Sequence, residues 1–149
     1  MQDTDAAYVA GLLDGEGSIV LSVRSGREWA KRSDYTLLVR IHNTCKEVLD
    51  WTVTVAGGRV YCSSRANRHR PMYQWTIHSV QAAEFLRLML PYLRIKRDQA
   101  LLALDFQATK EVVGQPRKYL SGRPYELNAR RLAMYQEMIK LHDRCSHVR

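Results

Sequence analysis

Apolar and polar positions change period several times along this chain, and each change marks an element boundary. The N-terminal segment through Glu16 reads as a helix. Tyr8, Val9, Leu12 and Leu13 are its core anchors, while Ala7, Gly11 and Gly15 recur every four residues and leave one face nearly bare. Residues 18–28 then alternate as a strand, with Ile19, Leu21 and Val23 on one side and Ser18, Val20, Ser22 and Arg24 on the other. Residues 34–43 alternate likewise, Tyr35, Leu37, Val39 and Ile41 against Asp34, Thr36, Leu38, Arg40 and His42. The polar, basic stretch between them joins the two strands as an antiparallel hairpin.

Asn43-Thr44 opens a second helix to about Ala56, with Glu47 completing a capping box and Gly57-Gly58 as the stop. A second hairpin pairs residues 59–63 with residues 72–78. Ser79 caps a helix from about Val80, which Leu90-Pro91 breaks. Helical spacing resumes through Leu93, Ile95, Ala100, Leu101 and Leu104. Residues 114–122 form a loop, and Pro124 suits the first turn of a final helix striped by Leu132, Tyr135 and Ile139. The order is helix, two strands, helix, two strands, helix, then further helices. From periodicity alone this is an α+β chain with a four-stranded antiparallel sheet.

With 149 residues, the chain suits one domain spanning 1–149, and its 46% hydrophobic content supplies a core. No apolar run is long enough for a bilayer, no signal peptide is visible, and no membrane partner is expected. Cys45, Cys62 and Cys145 are odd in number and form no CxxC, which argues against a disulfide framework or zinc site and for an intracellular setting. His142, Cys145 and His147 read as a polar tail after the last helix rather than a chelating group.

The net charge of +8 points to a polyanionic partner. It is unevenly spread: residues 1–56 carry 6 basic and 8 acidic side chains, and residues 57–149 carry 17 and 7. Arginine outnumbers lysine 17 to 6, a bias of GC-rich coding that favours a bacterial, archaeal or phage origin over an organelle. The first hairpin's outer face mixes donors, acceptors and apolar groups, the mixture that base edges in a major groove demand.

The richest stretch is Val9-Ala10-Gly11-Leu12-Leu13-Asp14-Gly15-Glu16-Gly17, followed by Ser18-Ile19-Val20. A small-residue stripe lets two helix backbones approach closely. A carboxylate at a helix C-terminus faces the negative end of the macrodipole and is best explained by a cation held there. The segment resembles the LAGLIDADG motif of homing endonucleases through its final Gly-acid-Gly, with Glu in place of Asp at the last acid. The element order is similar to that family's αββαββα core over about residues 5–106, leaving a basic loop and C-terminal helices at 107–149. The resemblance implies a curved sheet used as a DNA-reading surface. It also implies an enzyme that cuts both strands of a long pseudo-palindromic duplex with Mg²⁺ and takes part in intron homing.

Carried onto this sequence, the resemblance makes Glu16 the metal-holding acid and the Gly15 carbonyl a second ligand; hard oxygen donors suit Mg²⁺. Asn43 matches a polar residue that positions solvent. Lys96 matches a basic residue that polarises water and screens phosphate charge. Asp14 is expected to be structural or capping, and Lys46 and Glu47 are the nearest candidates for a second basic position, which the resemblance does not assign to either. One motif copy gives one acid, so two chains are expected to meet through Ala7, Gly11 and Gly15 as a homodimer.

The DNA-reading face comprises Ser18, Ser22 and Arg24 on the first strand and Thr36, Leu38, Arg40 and His42 on the second. Arg59, Tyr61 and Ser63 on the third strand and Gln74 and Thr76 on the fourth complete it. Arg24, Arg40 and Arg59 suit bidentate pairing with guanine. Arg65, Arg68, Arg70, Arg117, Lys118 and Arg123 lie on connections and suit phosphates. The alternatives are a scaffold that binds nucleic acid without cutting (an RNA maturase or a DNA-binding regulator) and a basic structural protein with a chance motif. The acid at position 16 separates the enzyme from the binder, because binding alone does not need it.

Overall fold

The computed structural model describes residues 1–24, 34–62, 71–111 and 125–146. The elements run α1 (Asp3–Glu16), β1 (Gly17–Arg24), β2 (Asp34–Asn43), α2 (Lys46–Ala56), β3 (Arg59–Cys62), β4 (Tyr73–His78), α3 (Ser79–Met89), α4 (Arg97–Glu111) and α5 (Tyr125–Ser146). The strands form one antiparallel sheet in the order β1-β2-β4-β3. This is the expected α+β arrangement, αββαββα followed by two helices. Among the described residues no helix is long and apolar enough to cross a membrane.

The alternation of the strands decides which side of the sheet is covered. Ile19, Leu21, Leu37, Val39, Ile41, Trp75 and Ile77 are buried against Val9, Ala10 and Leu13 of α1, Ala83, Phe85 and Leu86 of α3, and Ala103 and Phe106 of α4. All five helices contribute to this single apolar layer, α2 through Leu49 and α5 through Met138. The opposite face of the sheet carries the polar half of each strand.

Two glycines are fixed by close approach. A Cβ on Gly17 would lie 2.4 Å from Leu13 Cδ1 and 2.7 Å from the Leu13 carbonyl, so no larger residue fits where α1 turns directly into β1. Gly58 has φ +86°, and a Cβ there would lie 2.8 Å from both the Thr76 carbonyl and Trp75 Nε1. Trp75, fully buried, donates from Nε1 to the Gly57 carbonyl at 2.8 Å, tying the end of α2 to the middle of β4.

Several local expectations change. The capping box is absent: the α2 N-cap is Cys45, whose N–H is received by Asn43 Oδ1 at 2.8 Å, an Asx turn that replaces it. Ser79 does not cap α3 with its side chain; it is the first helical residue, at φ 51°, and lets β4 pass into α3 without a loop. Tyr8 is exposed instead of anchoring the core, its ring edge-to-face with Trp51 at 5.5 Å between centroids. The expected core-facing stripe of α5 is displaced by one residue at two of its three positions. Leu132 and Ile139 are exposed, whereas Met138 and Arg131 are buried.

Arg131 goes inside, only 2% exposed, because it has partners there. It donates from Nε to Thr109 Oγ1 at 3.0 Å and from Nη2 to the Thr109 carbonyl at 2.7 Å. The guanidinium thereby meets the carbonyl-rich C-terminal turn of α4, where a cation is favoured. His142 belongs to α5 and not to a tail, and its Nε2 donates to the Ile19 carbonyl at 2.8 Å.

Candidate functional site

The site is built where α1 ends. Glu16 is the last residue of α1 and is exposed, at the end of the helix where backbone carbonyls lack intrahelical donors. The Gly17 N–H donates to the Leu13 carbonyl. The next carbonyl, that of Asp14, accepts from Lys96 Nζ, so an ammonium stands two residues before Glu16. Positive charge at this disfavoured end of the helix comes in part from the chain itself, from a residue 82 positions away.

The Asp14 side chain is committed elsewhere. Only 8% of the residue is exposed. Its carboxylate receives three consecutive backbone N–H groups, Arg94 at 2.7 Å, Ile95 at 3.1 Å and Lys96 at 3.0 Å. These amides immediately precede α4, whose positive N-terminal end favours an acid. Asp14 is therefore a capping residue, the role its sequence position suggests, and its oxygens are filled by donors. Glu16 is the motif's exposed carboxylate.

Asn43 closes β2, two positions beyond Ile41, which faces Gly17 in the β1–β2 register. Its Oδ1 accepts the Cys45 amide, and its Nδ2 group is the donor it can offer a solvent molecule. Lys46 and Glu47 stand on the first turn of α2. Lys46 is paired with Asp50 one turn on, and that hydrogen bond, aided by the carboxylate charge, raises its pKa above the ordinary lysine value. Glu47 Oε2 receives the Cys45 thiol at 3.5 Å. Among the described residues no three His, Cys, Asp or Glu side chains of one chain cluster as metal ligands.

The open face of the sheet is organised in rows. Register places Ser18 beside Arg40, Arg40 beside Thr76, and Thr76 beside Arg59, one row across all four strands. Toward the Glu16 end, His42 faces Gln74 and Gln74 faces Tyr61, and His42 Nε2 donates to Gln74 Oε1 at 3.0 Å. Away from it, Val20, Leu38 and His78 form one row, and Ser22 faces Thr36 in the next. Alternation puts Val20 on this face, but neither Val20 nor His78 is among the residues expected to read DNA. Extending the alternation of Gln74 and Thr76 by two residues finds His78.

Two members of the expected reading face are not accessible. Leu38 and Thr76 are each 5% exposed. Both lie on interior strands, with Val20 and His78 beside Leu38 and Arg40 and Arg59 beside Thr76, so each is flanked on both sides. Thr76 Oγ1 and Arg40 Nε are buried and have no hydrogen-bond partner, two orphaned polar atoms within one row. The Arg24 side chain and Ser63, Arg65, Arg68, Arg70, Arg117, Lys118 and Arg123 lie outside the described residues.

The bare face of α1 is uncovered. Ala7, Gly11 and Gly15 are exposed, and a Cβ on Gly11 or Gly15 would meet nothing within 4 Å. Beside it, Tyr8 and Trp51 line a shallow groove with Thr4, Asp5 and Val48.

No protein-family model matches the sequence, and no curated protein is significantly similar to it in sequence. Solved structures do match. The homing endonuclease I-CvuI, in complex with its target, aligns over 93% of this chain and 82% of its own at 18% identity and TM-score 0.74. The archaeal intron-encoded homing endonuclease I-Vdi141I, complexed with DNA, aligns over 95% and 86% at 18% identity and TM-score 0.74. The LAGLIDADG homing endonuclease I-LtrWI, bound to target DNA, matches over 92% of this chain but 44% of its own, at 14% identity and TM-score 0.69. With one Val9–Gly17 motif ending its first helix, the chain has the fold of the LAGLIDADG homing endonucleases.

Proposed function

We propose that the chain is a site-specific double-stranded DNA endonuclease of the homing type, working as a homodimer on a long pseudo-palindromic site. The observation that carries this reading is the juxtaposition at the end of α1. An exposed carboxylate, Glu16, follows by two residues the carbonyl that holds the Lys96 ammonium, and the polar rows of the sheet begin at the same edge. A protein that only binds nucleic acid needs the rows and not the acid–ammonium arrangement. The DNA in the complexes of I-Vdi141I and I-LtrWI supports a duplex partner.

Hydrolysis of a phosphodiester requires a deprotonated water and a stabilised leaving 3′ oxygen. Glu16 and the Gly15 carbonyl are hard oxygen donors at a solvent-facing helix end, a set that fits Mg²⁺; the complexes of I-CvuI with Ca and with Mg support a divalent ion. Such an ion supplies charge to the leaving oxygen and acidity to the attacking water. Asp14 contributes nothing to binding it, since three amides occupy its carboxylate. Lys96 places positive charge beside the reacting phosphate. Asn43, through Nδ2, orients solvent. One chain provides one acid, so a second copy, meeting the first along Ala7, Gly11 and Gly15, is required to place an acid at each strand.

Arg40 and Arg59, which flank Thr76 in the sheet register, are the residues we assign to bidentate pairing with guanine O6 and N7. The basic residues of the connections, Arg117 and Lys118 among them, supply the salt-dependent share of affinity through phosphates.

Replacing Glu16 by Gln tests the reading. The amide keeps the shape of the side chain and removes its charge. Target selection from a randomised duplex library should yield cleaved sites with wild-type protein in Mg²⁺ and none with the variant. Specific DNA binding and folding should survive. Cutting by the variant at the wild-type rate would overturn the assignment, and binding without cutting by the wild-type protein would favour the non-cleaving scaffold instead.

A further inference from the structure

We propose that Asp14 is a positioning residue: through the three amides of residues 94–96 it fastens the Lys96-bearing turn to the end of α1, and so sets where the Lys96 ammonium stands. The inference rests on the endonuclease reading for its catalytic consequence, but the fastening itself stands on geometry alone.

The bonds are reciprocal. The Asp14 carboxylate takes the N–H groups of Arg94, Ile95 and Lys96, while the Asp14 carbonyl takes the Lys96 Nζ. A single residue thus holds both the backbone and the side-chain tip of Lys96. The Lys96 carbonyl in turn receives the Ala100 N–H at 2.9 Å, so the same residue opens α4. Asp14 lies at the negative end of α1 and at the positive end of α4, and only the second favours its charge; the three amides make the carboxylate tolerable there. Burial of the residue keeps water from competing for those donors. The tie joins segments 80 to 82 residues apart. A lysine stem has four rotatable bonds and would otherwise sample many positions at a helix end, so fixing its two ends is what pre-organises it.

Asp14→Asn is the direct perturbation. One face of the amide becomes a donor and opposes the amides it formerly received. Backbone hydrogen exchange reads the tie without any cutting: the amides of residues 94–96 should be slow in the wild-type protein and fast in the variant, while the core strands stay slow. Cutting should fall by about 100-fold, the cost of an ångström-scale misplacement, with DNA affinity unchanged. In a Lys96→Ala background, Asp14→Asn should change the rate less than about twofold, because its effect passes through Lys96.

Equal losses with and without Lys96 would overturn the proposal and make Asp14 a purely structural cap. Wild-type exchange at residues 94–96 in the variant would overturn it equally. Should Asp14→Asn fail to fold, Asp14→Glu keeps the charge one methylene out of place; it should show the same non-additivity with Lys96→Ala, and additive losses would refute the idea. A wild-type protein that binds DNA without cutting ends the endonuclease reading, while the exchange measurement still decides the tie.

Discussion

Gly11→Ala should stabilise the folded chain and weaken its self-association, two effects that ordinarily do not come from one methyl group. Gly11 lies inside α1, and a Cβ there meets nothing within 4 Å of the same chain. Alanine therefore adds only its helix propensity, about 1 kcal/mol over glycine, with no steric cost to the monomer. The folded monomer and the dimer share that gain, so it cancels from the association constant. What remains is the methyl driven between the two backbones that approach along the bare face in the proposed homodimer. Overpacking of a close contact costs ~1–3 kcal/mol, and a two-fold axis applies it twice, giving about 2–6 kcal/mol per dimer. At ~1.4 kcal/mol per decade the dissociation constant should rise at least about 30-fold.

Sedimentation velocity over a dilution series gives that constant, and denaturant unfolding below it gives the monomer stability. The two curves should cross. At low concentration the variant is the more stable protein, and at high concentration the wild type is, since association adds to apparent stability by mass action. A stabilised variant with an unaltered dimer would show that the face is not the interface. A wild-type chain that stays monomeric at micromolar concentration would remove the dimer altogether.

Arg40→Ala should relax base preference at one symmetric pair of positions by about 1–3 kcal/mol each, read by competition among variant duplexes; unchanged preference would take Arg40 off the reading surface. Gly58→Ala combines left-handed strain with a contact of 2.8 Å to the Thr76 carbonyl and should lower unfolding stability by about 2 kcal/mol or more. A neutral result would mean that the turn at residues 57–58 shifts freely. Asp50→Asn should return the Lys46 titration, followed by NMR, toward the ordinary lysine range. The raised pKa gives stabilisation present below that range and lost as pH rises through the folded value. Because both side chains are about half exposed, thermal stability at neutral pH should fall only slightly.

The elements were legible because this chain punctuates them strongly. Strict alternation in residues 34–43 is a full strand, and the Gly57-Gly58 pair stops α2 where it should. The end of α1 was legible as well, since a helix that finishes on an acid and enters a strand leaves few alternatives. Partnership across long sequence distances was not. Nothing around residue 94 announces that its amides belong to Asp14, or that Arg131 has an acceptor waiting in Thr109. Periodicity assigned Leu132 and Ile139 to the core because it weighs apolarity, and an arginine with good hydrogen bonds outcompeted them for the inner face. Leu38 and Thr76 show the complementary limit. Alternation gives the side of the sheet a residue occupies, while its exposure depends on the lengths of its neighbours' side chains.

The sheet order leaves β1 and β3 at the two edges, and an unpaired strand edge is a template for another strand. β3 is short, four residues, and carries an arginine at its start. β1 is twice as long and mostly apolar on its inner side, the more dangerous of the two. Its protection comes from α5, whose His142 occupies the Ile19 carbonyl that an incoming strand would seek. Loss of the last helix would uncover that carbonyl and open the longer edge as a seam for strand-to-strand pairing.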